Sequence, residues 1–81
     1  MYQVTLDPLA EEQIAAIPVE ALRPLAELLA LLEIAPWSGQ SYSPAKPKAN
    51  MLTHAFGERG LATYVVLDEQ REVYLIRIEW P

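Results

Sequence analysis

Two runs of aliphatic, β-branched and aromatic residues, LATYVVL at 61–67 and VYLIRIEW at 73–80, flank the polar cluster DEQRE. Such runs suit the pleated, half-buried surface of a sheet, and the short polar cluster can turn the chain but cannot carry a crossover. The economical reading is an antiparallel hairpin with strands at 61–67 and 72–80. Along the second strand, Val73, Leu75, Arg77 and Glu79 alternate with Tyr74, Ile76, Ile78 and Trp80. The second set is expected to form one apolar face. That face needs a cover, and the leucine-rich segment upstream is the natural one.

The N-terminal part supplies that cover. Tyr2, Val4 and Leu6 alternate with Gln3 and Thr5, which predicts a strand at 1–6. Asp7 followed by Pro8 reads as a helix N-cap with proline at the first helical position, and Glu11 and Glu12 sit where the helix N-terminus favours negative charge. Ala10, Ile14 and Ile17 fall on one stripe, and Pro18 ends this first helix. A second helix is predicted at 19–33, with Leu22, Leu25, Leu29 and Leu32 on its buried stripe and Leu28 and Leu31 widening it. Pro24 requires that this helix either begin near Arg23 or begin at Val19 and bend.

Residues 36–49 hold Pro, Ser and Gly in a density that marks a loop, longer than most connections and so a candidate for binding. A strand at 50–56 puts Leu52, His54 and Phe56 on one side and Met51, Thr53 and Ala55 on the other. Gly57-Glu58-Arg59-Gly60 then turns the chain into the strand at Leu61. The expected fold class is α+β in the order strand-helix-helix-strand-strand-strand. Its antiparallel-rich four-stranded sheet carries a helical hairpin on one face, in a single domain over 1–81.

With 81 residues, 52% of them hydrophobic, one core is only just sufficient. The absence of cysteine removes disulfides and thiolate metal sites, and a single histidine removes a His-rich zinc centre, so no metal or cofactor is expected. Apolar segment 25–35 is too short to span a bilayer and contains Glu27 and Glu33. No positively charged leader precedes an apolar run, which favours a cytoplasmic location with no membrane partner. The net charge of -5 disfavours general nucleic-acid binding. Only the middle is locally basic, where Lys46, Lys48 and Arg59 outnumber Glu58.

Individual side chains carry the remaining chemistry. His54 is the one group whose ordinary titration range suits acid–base work near neutrality, and its alternation with Leu52 and Phe56 points it toward the core. Arg59 either grips a phosphate or is a solvated turn residue. Lys46 and Lys48 form with Arg59 the sole expected positive cluster, suited to positioning RNA or docking an acidic partner. Arg77 interrupts an apolar strand and is expected on an open sheet face. Trp37 and Tyr42 bracket Gly39 and either pin the loop to the core or offer aromatic surface to a base or peptide, core pinning being the expectation.

The element order, the Asp-Pro after the opening strand, the proline between the helices and the string ATYVVLDEQREVYLIRI together resemble the RelE/ParE family of toxins from bacterial type II toxin–antitoxin pairs. The resemblance spans the whole chain and rests on patterning. It implies growth inhibition by a toxin that acts on the translation machinery as a ribosome-dependent mRNA endoribonuclease (an mRNA interferase) or, in the ParE branch, on DNA gyrase. A third possibility is a non-catalytic binding module descended from such toxins. It further implies a cognate antitoxin as partner, with ribosome and mRNA, or gyrase, as target. The resemblance implies that cleaving members use lysines and arginines on the open sheet face, with a tyrosine, histidine or further arginine near the C-terminus, to activate the ribose hydroxyl, stabilise the transition state and protonate the leaving oxygen. Aligned on Tyr64 and Asp68, the family's lysine positions fall at Leu52 and His54, its arginine at Leu61, and its C-terminal basic group at Trp80 or Pro81. The resemblance therefore leaves His54, Arg59 and Arg77 as the catalytic candidates, with Lys46, Lys48 and Tyr42 as substrate-binding candidates. The cleaving set is largely missing.

Overall fold

In the computed structural model, which describes residues 1–81, the chain runs through β1 (Gln3–Leu6), α1 (Pro8–Ala16) and α2 (Val19–Ile34). A single 3-10 turn at Pro36–Ser38 follows, then β2 (Gln40–Ser41), β3 (Met51–Phe56), β4 (Gly60–Leu67) and β5 (Glu72–Glu79). The strands form one sheet in the order β1-β5-β4-β3-β2, with β1 parallel to β5 and every other pairing antiparallel. The predicted four strands are all present; β2 is a fifth, two residues long. Hydrogen bonding rather than an apolar pattern holds it, with Gln40 opposite Thr53 and Ser41 opposite Leu52.

Asp7 caps α1 as its sequence context dictates: the carboxylate accepts from the Leu9 backbone N–H at 3.0 Å. Ala10 is buried, and Ile14 and Ile17 pack beside it against the core. The second helix starts at Val19 and contains Pro24. Because proline has no N–H, the Glu20 carbonyl lacks its usual helical donor. The buried stripe of α2 is Ala21, Leu25, Leu28 and Leu32. Helical spacing is kept, but the stripe is rotated from the expected one: Leu22 is exposed and Leu29 only half-buried. Ala21, small enough for close approach, takes the inward position instead.

The helices cover one face of the sheet. Tyr64, Leu75, Val66 and Val73 lie completely buried there, with Leu32 of α2 over them; each such side chain contributes roughly 1.5–3 kcal/mol on burial. On β4 the alternation is regular, with Ala62, Tyr64 and Val66 inward. On β5 it is not. Thr63 pairs with Arg77 but the next residue, Tyr64, pairs with Leu75, so Ile76 is an extra residue in a β-bulge. The expected apolar face of Tyr74, Ile76, Ile78 and Trp80 is thereby replaced. Val73 and Leu75 face the helices before the bulge and Ile78 faces them after it, while Tyr74, Ile76 and Arg77 are left on the other side. A one-residue insertion exchanges the two faces of everything beyond it.

Where β1 ends, α1 takes over the edge of β5. The Ile78 N–H, which a longer β1 would have bonded, donates to the Gln13 side-chain oxygen at 2.7 Å. Loop 36–50 is fixed from the inside: Pro36 is buried, and the Tyr64 hydroxyl donates to its carbonyl at 2.8 Å. Trp37 and Tyr42, expected to pin the loop to the core, are both about half exposed. Trp37 instead donates its indole N–H to Asp68, which also accepts from the Tyr2 hydroxyl. No helix is long and apolar enough to cross a membrane.

Candidate functional site

The face opposite the helices is only partly covered, by Leu9 and Tyr42, and at its centre sits an unusual residue. Thr63 is 97% buried and its Oγ1 has no hydrogen-bond partner. Its cross-strand neighbours are Thr53 on β3 and Arg77 on β5. Around it Leu9, Tyr42, Met51, Ile76 and Arg77 line a cavity of 180 Å³. Four elements converge here: α1 supplies Leu9, the chain just past β2 supplies Tyr42, β3 supplies Met51, and the bulge supplies Ile76 and Arg77. Tyr42 is held opposite Met51 by a backbone bond from its N–H to the Met51 carbonyl at 2.9 Å. Bulges re-aim side chains beside functional sites, and this one brings a guanidinium opposite the orphan hydroxyl. Arg77 pairs with Glu79 at 3.4 Å, both side chains a little under half exposed; such a pair contributes at most about 1 kcal/mol and leaves the guanidinium free to exchange partners.

A polar rim continues this face toward β1. The Tyr74 hydroxyl donates to the second oxygen of Asp7 at 2.6 Å, and Thr5 donates to Glu72 at 2.6 Å. Asp7 is thus shared between the helix cap and the sheet. Its carboxyl is held below the usual range, first by the Tyr74 bond and then by the Leu9 N–H. The Tyr74 phenol is correspondingly raised, mainly by that same bond to Asp7.

Of the six candidate residues, Tyr42 and Arg77 are brought together here and the other four are not. His54 pairs with Ala62 on the helix-facing side of β3, as its alternation with Leu52 and Phe56 indicates, and its Nδ1 lies 2.8 Å from the Ala55 carbonyl oxygen. His54 and Arg77 therefore stand on opposite faces of the sheet. Arg59 lies in the turn after β3 and reaches the Pro81 carbonyl at 3.5 Å. Lys46 and Lys48 precede β3, so six strand residues, roughly 20 Å, separate them from Arg59 and the expected positive cluster does not form. The register implied by aligning on Tyr64 is also corrected. Leu52 and His54 face the helices with Tyr64, and the open-face positions of β3 are Met51, Thr53 and Ala55. Sequence patterning does not single out Met51, Ile76 or Leu9; Thr63, the one aliphatic hydroxyl in the run LATYVVL, leaves a readable trace.

No family model and no curated protein matches the sequence. Solved structures do match in fold. Over 99% of this chain and 84% of the other, the isolated E. coli RelE toxin superimposes with a TM-score of 0.82 at 14% identity. A chain of the intact E. coli RelBE toxin–antitoxin complex gives 0.84 at 14% identity, covering 100% of this chain and 98% of that one. A chain of the RelBE2 toxin–antitoxin complex from Mycobacterium tuberculosis gives 0.83 at 18% identity, covering 99% and 98%. The helical hairpin on a mixed sheet thus defines a RelE/ParE-like toxin fold. Identities this low carry the architecture alone, and one architecture hosts several activities.

Proposed function

We propose that this chain is the toxin-side member of a type II toxin–antitoxin pair, a cytoplasmic protein held inactive by a cognate antitoxin, and that it acts by binding its target rather than by cleaving RNA. The observation that carries the reading is the Thr63–Arg77 pocket on the sheet face opposite the helices. It offers a guanidinium, a phenol and an unpaired hydroxyl over an apolar floor, but no imidazole. The Glu79 carboxylate is engaged with Arg77 and that of Asp7 with Tyr74 and the Leu9 N–H, and the lone histidine lies on the other side of the sheet. Cleavage of a ribose-phosphate chain needs a group to take a proton from the 2′ hydroxyl and another to protonate the leaving oxygen; the pocket brings a guanidinium and a phenol to this face, but neither an imidazole nor a carboxylate free of a partner to take up that proton. The acidic net charge of -5 points the same way.

The test is expression with and without the product of the adjacent gene, with growth and RNA integrity read together. The expected outcome is arrest without the partner, relief with it, and intact transcripts throughout. The gyrase alternative is read in the same cells from plasmid supercoiling. Cleaved transcripts by primer extension, lost in His54→Ala or Arg59→Ala, would return the assignment to an mRNA interferase. Absence of arrest would remove the toxin reading.

A further inference from the structure

The molecule's only ion pair, Arg77–Glu79, leaves its other carboxylates unpaired, and three of them border one groove. Between α2 and β3, two adjoining cavities of 350 and 220 Å³ share Pro24 and Gly57. Apart from His54, their floor is apolar: Pro24, Leu28 and Leu31 on the helix side, Phe56 and Trp80 on the sheet side. Phe56 and Trp80 pack with ring centroids 5.6 Å apart. Gly57 has φ +62°, and a Cβ there would lie 3.0 Å from the Trp80 ring. The indole therefore lies directly under the turn, at the mouth of the groove. The α2 wall spans Glu20 to Leu31, about 16 Å at the helical rise.

The rim is acidic. Glu20 and Glu58 stand at the Trp80 end and Glu27 stands one turn or more along α2. Arg23 is within a helical turn of both Glu20 and Glu27 but bridges to neither, and Arg59 is turned toward the Pro81 carbonyl. Pro24 adds a further acceptor on this wall, because it leaves the Glu20 carbonyl without a helical donor. The wall facing α2 is a strand edge only partly covered: β2 pairs with Leu52 and Thr53 and stops, leaving Ala55 exposed. Since Thr53 points its backbone groups at β2, alternation points those of Ala55 outward too, the carbonyl lying 2.8 Å from His54 Nδ1.

From this combination we infer that the groove between α2 and β3 is the seat of a cationic, apolar-anchored segment of the partner protein, with Lys or Arg set between Glu20, Glu27 and Glu58 and stacked on Trp80. The inference rests on the paired-protein reading above and specifies the partner's chemistry. A cation over an indole flanked by carboxylates gains from the ring quadrupole and from Coulomb attraction at once. A nucleic acid is disfavoured by the same carboxylates, and an elongated open channel suits a peptide better than a compact small molecule. Two features of this chain's own chemistry thus set what covers it: the floor selects aliphatic anchors, and the rim selects their flanking charge.

The probes are two synthetic twelve-residue peptides with identical leucine positions, one carrying lysine and the other glutamate at the remaining sites. They are titrated into the labelled protein while the two indole N–H signals are followed by NMR. The lysine peptide is expected to shift Trp80 saturably while Trp37, at the far end of the sheet, stays still. Its affinity should fall by about tenfold or more in the triple variant Glu20→Gln, Glu27→Gln, Glu58→Gln, and should weaken with added salt. Glu11→Gln with Glu12→Gln on α1 should leave it unchanged. Equal binding of the glutamate peptide, unchanged binding in the triple variant, or no shift of Trp80 with either peptide overturns the inference. So does self-association through the groove that Lys46→Gln with Lys48→Gln abolishes, which would assign it to a second copy. These outcomes are independent of growth arrest: a protein that binds the lysine peptide but does not arrest growth retains the groove and loses the toxin role, and the converse holds as well.

Discussion

Tyr64 and Pro36 are joined by a hydrogen bond of 2.8 Å from a phenol with no exposed surface to a carbonyl in a buried turn. Twenty-eight residues separate the partners, so this one contact ties the start of the long loop to the middle strand. Tyr64→Phe keeps the ring's packing but leaves the Pro36 carbonyl without its donor. A loss of about 1–3 kcal/mol follows, the usual penalty for stranding one buried partner. In a domain this small each kcal/mol lowers Tm by roughly 4–8 °C. Thermal melts of the two proteins decide the matter, and an unchanged Tm would show that the bond contributes nothing net.

Gly39 gives a steeper result. Its φ of -76° is open to any residue, so the requirement for glycine here is one of space. An added Cβ would stand 2.4 Å from the Tyr64 hydroxyl and 2.5 Å from the Thr53 carbonyl oxygen. The phenol can shift, but the backbone oxygen of β3 cannot do so without breaking the β2 pairing. Gly39→Ala is therefore expected to cost about 2 kcal/mol or more, in the range of forced overpacking, and to abolish slow amide exchange at Tyr42 and Thr53, whose backbone groups pair β2 with β3. Retained protection at both sites would contradict it.

Much of this architecture is legible in the residues because each local signal agrees with its neighbours. Asp7-Pro8 both starts a helix and ends a strand; Ala62, Tyr64 and Val66 alternate without interruption; the prolines at 18 and 36 bound the second helix. What stays hidden is relational. Nothing in VYLIRIEW marks Ile76 as extra, since a bulge is defined by its partner strand, and that single residue decides which face Arg77 occupies. The Gln40–Ser41 strand carries no apolar periodicity because its pairing rests on backbone bonds. Lys48 and Arg59 lie close in sequence, but an intervening strand holds them apart.

The pH dependence of stability follows from two tyrosine–aspartate bonds. Asp68 and Asp7 are both lowered below the ordinary carboxylate value, chiefly by the hydroxyls of Tyr2 and Tyr74. A depressed carboxyl stabilises the fold above its unfolded pKa, and that contribution disappears as the pH falls through the folded value. Tyr2, Tyr74 and Tyr64 are raised, the first two by hydrogen bonds to the aspartates and the third by burial. Their native state holds the phenolic proton more tightly, so stability is full below the ordinary tyrosine value and declines as the pH rises past it. Urea melts should therefore show a plateau between about pH 5 and 9 with a fall on both sides. Asp68→Asn should shrink the acid limb, and an acid limb identical to that of the parent protein would remove Asp68 as its source.

At the open face, stability and function are expected to part. Thr63→Val replaces a hydroxyl that has no partner with a methyl of the same shape. Burying an unsatisfied polar atom costs about 1–3 kcal/mol, so valine should leave Tm unchanged or raise it. Arg77→Gln removes a guanidinium whose only ion pair is half solvated, and its effect on stability should stay within about 1 kcal/mol. If the pocket they line is where the target is gripped, both variants lose growth arrest while remaining folded and still captured by the antitoxin on the opposite side. Arrest that persists at full strength in the folded double variant would detach this face from the activity. A drop in Tm on Thr63→Val would instead show that the hydroxyl already has a partner within the fold.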